Sequence, residues 1–257
     1  MLAIISPAKL LNFGTPAPTT QYSEAQFLKE ATQVNAQMKR LKAKDLEQLQ
    51  GISAELAMEN ESRNLLWQQP FTLDNAKQAL WAFNGAVYGG IHAETFQREE
   101  QAFAQAHLRI LSGLYGVLRP LDLIQPYRLE MGTKLGVSGK KDLYAFWKEA
   151  ITAEINQLLV QNDGVLINLA SNEYFKVIDK KKLKGRIITP QFKNNKNGAY
   201  KTIVIYAKQA RGMMCRFFIE NRLQNPEDLQ AFDTEGYYFN NELSRGDDWL
   251  FTRDKQQ

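Results

Sequence analysis

The segment from Leu111 to Gly132, LSGLYGVLRPLDLIQPYRLEMG, restricts the fold of this chain more than any other part of it. Two glycines and two prolines interrupt its apolar groups, so no amphipathic helix can run through it. The run Leu108–Leu111 at its start, apolar except for Arg109, predicts a buried strand that ends in a Ser-Gly loop. We therefore expect this segment, the central stretch, to form a rigid loop at the end of a strand.

The central stretch carries many polar and aromatic side chains for its length. They are Ser112, Tyr115, Arg119, Asp122, Tyr127, Arg128 and Glu130. Loops held on a rigid scaffold are a frequent location for binding and catalytic residues, which favours a functional site here. The alternative is a structural connection in which Asp122 and Glu130 pair with the two arginines.

Several short apolar runs are each followed by a polar segment, as expected for strands of a mixed α/β sheet. The predicted strands are Leu2–Ile5, Leu80–Phe83, Leu108–Leu111 and Val165–Leu169. Residues 187–206, which turn at Asn197-Gly198, predict an antiparallel pair at one side of the sheet. We predict a mostly parallel central sheet flanked by helices, in a single domain spanning residues 1–257.

Helical patterns separate these strands. Ser23 and Gln26 form a capping-box pattern that predicts a helix from Ser23 to about Lys42. Further helices are predicted over 99–107, 142–159 and 207–223, and two short strands over 237–239 and 249–252.

Residues 43–60 predict an insertion of two short helices joined by a tight turn at Gly51, with Ser53 as the N-cap of the second. The pattern is similar to a helix-hairpin-helix, a motif that binds nucleic acid backbones. Main-chain N–H groups at such a helix N-terminus suit a phosphate. Any two helices joined by a glycine turn share this pattern, so a purely structural hairpin is the alternative.

Positive charge is concentrated in one block of the chain. Residues 171–222 contain 13 Lys or Arg and 3 Asp or Glu, a net charge of +10, although the whole chain carries only +4. Such asymmetry points to an anionic partner, of which nucleic acid is the commonest. A solvated basic face without a partner is the alternative.

Several classes of function lack their sequence signals. No P-loop is present, because Lys134 stands where the first glycine of GxxxxGK[ST] would precede Gly139, and no GxGxxG occurs. The two histidines have no metal-ligand spacing with each other or with Cys215, so we predict no metal site and no cofactor. Cys215 lies among apolar residues and is predicted to be a buried structural position.

The sequence also indicates a cellular compartment. No apolar run is long enough for a transmembrane helix, and the residues before the first apolar run lack the basic leader of a signal peptide. We therefore expect a cytoplasmic protein with no membrane partner.

The polar segments after the predicted strands meet at one edge if the sheet is mostly parallel. The residues concerned are Ser6, Lys9, Asn84, Tyr88, Ser112, Tyr115, Arg119, Ser171, Glu173, Tyr174, Lys208 and Arg211. Arginines and tyrosines in one cleft suit phosphates and unstacked bases, and equally a small phosphorylated or carboxylated substrate. We predict one positive cleft that contains Lys9, Arg119, Arg128, Lys208 and Arg211.

Five segments together resemble the YaaA family of bacterial peroxide-stress resistance proteins, and the resemblance runs nearly end to end. They are ISPAK (5–9), FNGAVYGG (83–90), the central stretch (111–132), NLASNEYF (168–175) and AKQARGMMCRFFIENRL (207–223). The resemblance implies a cytoplasmic protein that limits damage by hydrogen peroxide and is associated with lower free iron. It also implies an α/β fold with a helix-hairpin-helix, a positively charged cleft and DNA binding, without an assigned reaction.

The main functional hypothesis is therefore a DNA-binding stress protein that contacts the duplex backbone. Its expected DNA-binding residues are Lys9, Lys44, Gly51, Ser53, Arg119, Arg128, Lys208, Arg211 and Arg216. The alternative is an enzyme acting on a nucleobase or nucleotide, with Ser112, Tyr115 and Glu173 as candidate catalytic residues beside Arg119. A third hypothesis, an iron-handling protein, lacks clustered His, Cys and Glu spacing.

Overall fold

A mostly parallel sheet of eight strands lies at the centre of the computed structural model, which describes residues 1–254. The strands of the protein are β1 Leu2–Ile5, β2 Leu10–Leu11, β3 Lys77–Gln78, β4 Phe83–Asn84, β5 Leu108–Ser112, β6 Gly116–Leu118, β7 Leu123–Ile124, β8 Val165–Asn168, β9 Arg186–Lys196, β10 Ala199–Lys201, β11 Tyr238–Phe239 and β12 Asp248–Arg253. The order in the central sheet is β11-β12-β9-β8-β1-β5-β6, and β10 pairs with β9.

The middle of this sheet is parallel and buried. Strand β1 pairs in parallel with β5 on one side, where Ala3 aligns with Leu108, and with β8 on the other, where Ala3 aligns with Ile167. All four residues of β1 are buried, as expected for a strand of a parallel sheet that is covered on both faces. The antiparallel strands β6, β10 and β11 lie outside this parallel part.

Helices cover the sheet. They are α1 Leu28–Met38, α2 Ala43–Gln50, α3 Ala54–Leu66, α4 Ala79–Ala82, α5 Ala86–Ile91, α6 Arg98–His107, α7 Leu143–Gln161, α8 Asn172–Phe175 and α9 Val204–Glu220. Two small antiparallel pairs, β2 with β4 and β3 with β7, stand apart from the main sheet. The first of these pairs places Leu10 opposite Asn84, which brings the segment after β1 next to the start of α5.

The predicted architecture is confirmed: the protein is mixed α/β with a mostly parallel central sheet flanked by helices. The predicted strand at 165–169 corresponds to β8, and the two short strands near the end of the chain correspond to β11 and β12. Within residues 1–254, no helix combines the length and apolar character required to cross a membrane.

The predicted strand Leu80–Phe83 is wrong. Residues 79–82 form the short helix α4, and only Phe83 and Asn84 are in a strand. All four residues of α4 are buried, so the run is apolar on every side and has no periodicity to distinguish a helix from a strand.

The predicted return strand over 201–206 is also wrong. Strand β10 ends at Lys201 and α9 begins at Val204, so the β-branched residues 202–205 lead into a helix. Strand β9, which was expected at one side, lies inside the sheet between β8 and β12. These residues favour a strand by local propensity, but the packing of α9 determines their conformation. Local β propensity is weak and often depends on such context.

The first long helix begins later than the capping-box pattern predicts, at Leu28 rather than near Ser23. Ser23 is used in long-range contacts: its amide donates to the Leu121 carbonyl at 2.9 Å and its hydroxyl to the Asp122 carboxylate at 2.7 Å. The segment before α1 is therefore fixed against the central stretch, and the helix starts only after it.

Helices α2 and α3 are joined by a turn at Gly51, which has a left-handed backbone with φ of 61°. Ser53 caps α3 by accepting a hydrogen bond from the Leu56 amide. The Gln50 side chain donates to the Arg128 carbonyl at 2.9 Å, so this turn is attached to the central stretch. These contacts define a helical hairpin.

Candidate functional site

A cavity of about 520 Å³ opens where strands β1 and β8 end. Its lining comes from five parts of the chain: the segment after β1, the start of α5, the central stretch, the segment after β8 and one face of α9. The charged side chains that line it are Lys9, Glu130, Glu173, Lys208 and Arg211. We call this cavity and its lining the cleft.

The position of the cleft follows from the sheet topology. From β1 the chain continues to β5 on one side of β1, and it later returns to place β8 on the other side. Ligands of open α/β sheets bind outside the carboxyl ends of the strands at such a reversal of strand order. Ser6 follows β1 and Ser171 follows β8, so both lie at this point.

Close packing of α5 against α9 forms one wall of the cleft. A Cβ atom at Gly212 would collide with the Val87 carbonyl oxygen, and one at Gly90 would collide with the Gln209 carbonyl oxygen. The two glycines therefore let the helix backbones approach closely. This contact places Lys208 and Arg211, three residues apart on α9, beside the start of α5.

Arg211 is a half-buried cation of the cleft without a counterion in residues 1–254. Its side chain is half-buried, its Nε is buried without a hydrogen-bond partner, and no carboxylate in residues 1–254 lies within 4.0 Å of its guanidinium. Burial lowers the pKa of Arg211. An anion bound at this position would relieve that cost and would match the donors of the guanidinium.

Glu130 neutralises the opposite side of the cleft. Its Oε1 lies 3.1 Å from Lys9 Nζ and 3.3 Å from Arg128 Nη2. Arg128 lines a small adjoining depression with residues 7–9 rather than the cleft itself. Two of the cations predicted for the cleft are therefore already paired with the same carboxylate.

Glu173 approaches the cleft from the segment after β8. Its Oε1 accepts a hydrogen bond from the Gly132 amide at 3.0 Å, and its carbonyl accepts one from the Tyr144 hydroxyl at 2.9 Å. These bonds hold the side chain at the wall, and its second carboxylate oxygen makes no hydrogen bond within residues 1–254.

The hydroxyl groups at the base of the cleft are held by one another. Ser6 Oγ accepts from the Ser171 amide at 2.9 Å and donates to Ser171 Oγ at 3.2 Å. The Tyr88 hydroxyl donates to the Ser6 carbonyl at 3.1 Å. Burial raises the pKa of Tyr88 and of Tyr174 well above the ordinary tyrosine value, so both remain neutral donors at physiological pH.

Two of the candidate catalytic residues, Ser112 and Tyr115, lie outside the cleft and are fully buried. Ser112 Oγ is 2.7 Å from the Tyr127 hydroxyl and accepts from the Tyr115 amide at 3.0 Å. The Tyr115 hydroxyl accepts from Trp67 Nε1 at 2.9 Å and from the Gln125 amide at 3.0 Å. These groups satisfy one another inside the core.

Arg119 does not join the predicted cleft. Its backbone amide and Nε donate to the buried Asp122 carboxylate at 2.8 and 2.9 Å, and Nη2 donates to the Glu24 carbonyl. The expectation of one cleft containing five cations is thus corrected: Lys9, Lys208 and Arg211 line it, Arg128 adjoins it, and Arg119 is a structural partner of Asp122.

Four more residues of the predicted DNA-binding set lie elsewhere. Arg216 donates to the Ile91 and His92 carbonyls, which end α5, and pairs with Glu220. Lys44, Gly51 and Ser53 are exposed on the helical hairpin, Lys44 at the start of α2 and the other two at the turn. Cys215 is fully buried, as predicted, and burial raises the pKa of its thiol to about 12.

The apolar wall of the cleft was not predicted from the sequence. Pro7, Ala8, Leu10, Val87 and Leu169 line it together with the charged groups. Their sequence signal is weak, because single apolar residues in polar segments are common on any surface. Only the adjacency of Pro7 and Ala8 to β1 could have suggested them.

These features define an α/β protein with a cleft at the carboxyl edge of its sheet. The chain also matches the family described as peroxide stress protein YaaA over residues 1–243. It belongs to this family of peroxide stress proteins.

Proposed function

We propose that this peroxide stress protein binds DNA, largely independently of sequence, and so limits oxidative DNA damage. The proposal rests on the unpaired, half-buried Arg211 in a cleft that Lys208 extends to the surface. Phosphate is the anion that a nucleic acid offers at every position, and contacts to phosphate carry no sequence information. The protein would then bind DNA in the cytoplasm.

The hairpin of α2 and α3 is the second proposed contact. Its turn at Gly51 is exposed, and Gln50 connects it to Arg128 beside the cleft. The Leu56 amide donates to the Ser53 hydroxyl, whereas the Ala54 and Glu55 amides at the start of α3 make no hydrogen bond within residues 1–254 and are available to a phosphate. Residues 43–60 hold one lysine and four acidic residues, a net charge of −3, so this contact relies on backbone N–H groups.

A basic surface outside the cleft provides the rival binding site. We call the exposed lysines Lys176, Lys180, Lys181, Lys182 and Lys184 the basic arm. Lys176 lies over the Tyr144 ring and Lys180 over the Phe175 ring, at 5.1 and 4.7 Å from the ring centroids. The arm thus begins beside the wall of the cleft.

Two charge-matched double variants separate the cleft from the arm. Fluorescence anisotropy with a labelled blunt duplex should show Kd at least about tenfold higher for Lys208→Ala/Arg211→Ala, because each charged phosphate contact contributes to affinity. Lys181→Ala/Lys184→Ala removes the same charge from the arm and should change Kd less than about threefold. A normal Kd for the cleft variant together with lost binding by the arm variant would contradict the assignment.

The hairpin contact has a separate test. Gly51→Val places a β-branched residue at positive φ and distorts the turn, so duplex binding should weaken several-fold. An unchanged binding curve for a folded Gly51→Val protein would remove the hairpin from the interface.

A second candidate function is an enzyme that acts on a nucleobase or nucleotide in the same cleft. It is favoured by the two carboxylates, Glu130 and Glu173, that line a cavity beside Arg211. Product formation from nucleotides or DNA, followed by chromatography and lost in Glu173→Gln, would support this activity. Under this alternative Ser112 and Tyr115 shape the scaffold, because both are buried outside the cleft.

We include in the proposal the association with lower free iron that the family resemblance implies. Within residues 1–254, no group of three or more His, Cys, Asp or Glu side chains is arranged to hold a metal ion. The proposal therefore assigns no iron ligand to this chain.

A further inference from the structure

Arg211 lies deeper in the cleft than Lys208. Lys208 is exposed, whereas Arg211, one turn further along α9, is half-buried with its Nε fully covered. The other two guanidinium nitrogens of Arg211 are not covered, and its side chain lines the cavity. A backbone phosphate can therefore contact Arg211 at the mouth of the cavity, and the phosphate of a smaller unit can contact it from within.

The size of the cavity suits such a unit. Its volume of about 520 Å³ lies within the range of about 300–1,000 Å³ that is typical of small-molecule sites. Proteins that take a base out of a helix hold the extruded nucleotide in a pocket of this kind. The cavity also lies at the reversal of strand order, where α/β sheets bind nucleotides and other small ligands.

The lining of the cavity combines two kinds of chemistry. Arg211 and Lys208 supply positive charge on α9, whereas Pro7, Ala8 and Leu10 supply an apolar wall after β1. Leu10 is 65% exposed, an apolar side chain left open to solvent at a site that also holds charge. A phosphorylated molecule with a flat apolar ring matches this combination.

Glu173 adds a directional acceptor. One of its carboxylate oxygens is used by the Gly132 amide, and the other makes no hydrogen bond in residues 1–254. Nucleobases present ring and exocyclic N–H donors at their edges, which a carboxylate oxygen accepts.

We propose that the cleft binds one nucleoside phosphate unit, with the phosphate on Arg211 and the base against the apolar wall formed by Pro7, Ala8 and Leu10. This inference deepens the proposed DNA binding and rests on it for the identity of the anion. The same unit has two sources: a free nucleotide in solution, or a nucleotide extruded from DNA or at a DNA end.

The test measures binding of dGMP and dAMP to the full chain by calorimetry, with inorganic phosphate and deoxyribose 5-phosphate as controls that lack the base. We expect the nucleotides to bind at least about tenfold more tightly than either control, because only they use the apolar wall. Arg211→Met should weaken nucleotide binding at least about tenfold, whereas Lys181→Met on the basic arm should leave it unchanged.

A second variant tests the wall separately from the charge. Ala8→Phe fills the apolar side of the cavity and should abolish nucleotide binding while exposed duplex contacts at Lys208 remain. Leu10→Asp should also weaken nucleotide binding. Leu10 is largely exposed, so this change should not disturb folding. Slow labelling of the buried Cys215 thiol by a thiol reagent verifies that each variant is folded.

Competition identifies the source. If dGMP displaces DNA that has an unpaired nucleotide, and this DNA binds more tightly than fully paired duplex in the wild type but not in Ala8→Phe, the extruded unit occupies the cleft; if the two DNAs bind alike, the free nucleotide is the ligand. Nucleotide binding no tighter than phosphate, or unaffected by both Arg211→Met and Ala8→Phe, overturns the inference. In that case duplex binding that still depends on Lys208 and Arg211 leaves the proposed function intact, and its absence removes both.

Discussion

The cleft and the central stretch contain similar polar side chains, but those of the central stretch are paired with protein groups and Arg211 in the cleft is not. In the central stretch, the half-buried Arg119 is bonded to the fully buried Asp122, and the buried Tyr115 hydroxyl accepts two hydrogen bonds. In the cleft, Arg211 has no counterion within residues 1–254. Polar composition alone therefore does not distinguish a binding site from a structural network; the pairing of the buried groups does.

The largest expected effect belongs to the interior. In Gly113→Ala, the new Cβ would collide with the Leu129 carbonyl oxygen, so the free energy of unfolding should fall by about 3 kcal/mol or more. Gly89→Ala is the matched control, because a Cβ there meets nothing within 4 Å on the exposed side of α5. Chemical denaturation measures both; equal stabilities for the two variants would show that the central stretch is loosely packed.

Removal of one hydroxyl should have the next largest effect. Tyr115→Phe leaves the Trp67 Nε1 donor and the Gln125 amide buried without an acceptor, which should cost about 1–3 kcal/mol of stability. Tyr144→Phe removes a hydroxyl at the cleft wall, where water can replace the bond to the Glu173 carbonyl, and should cost less than about 1 kcal/mol. A larger loss for Tyr144→Phe would reverse the comparison.

Cys215, on the buried side of the helix that carries Arg211, should lower the stability by an intermediate amount over the first pH unit above 9. Burial raises the pKa of its thiol from 9.0 to about 12, so the folded state holds the proton over a range in which the unfolded chain loses it. This contribution to stability is complete below pH 9 and is lost between pH 9 and about 12, by roughly 1.4 kcal/mol per pH unit.

The measurement compares the pH dependence of unfolding for the wild-type chain and Cys215→Ala. The wild type should lose stability more steeply above pH 9, and thiol reagents should label native Cys215 only as fast as the protein opens. Identical pH profiles, or rapid labelling of the folded protein, would mean that Cys215 is accessible.

The smallest effect is expected at Lys9, which lines the cleft but is 64% exposed and paired with Glu130. Lys9→Met should change stability by less than about 1 kcal/mol, because exposed ion pairs contribute little. It should also weaken DNA binding less than Arg211→Met, because its charge is already neutralised. A greater loss of binding for Lys9→Met would show that the Glu130 pair opens when DNA binds.

Much of the architecture could be predicted because buried parallel strands have continuous apolar sequences. Strands β1 and β8 have such sequences, and the polar segments that follow them line part of the cleft. The helix α4 could not be predicted, since its four buried residues have the same apolar pattern as a strand.

The ion pairs of the site residues differ in how far apart the two partners lie in the sequence. Asp122 lies three residues after Arg119, so this pair was visible in the sequence as the structural alternative. The pairing of Glu130 with Lys9 joins distant segments and depends on the sheet order, which no local pattern contains. Arg211 was selected for its charge, but its lack of a partner is a property of the folded protein.

The central claim, that Arg211 and Lys208 contact DNA phosphates, is tested most directly by the salt dependence of duplex binding. Each phosphate contact by Lys or Arg contributes about 0.9 to the slope of log K against log salt concentration. The slope for Lys208→Ala/Arg211→Ala should therefore be lower than that of the wild type by about 1.8, for every duplex sequence alike. An unchanged slope for this variant, with a reduced slope for Lys181→Ala/Lys184→Ala, would place the DNA on the basic arm and contradict the account.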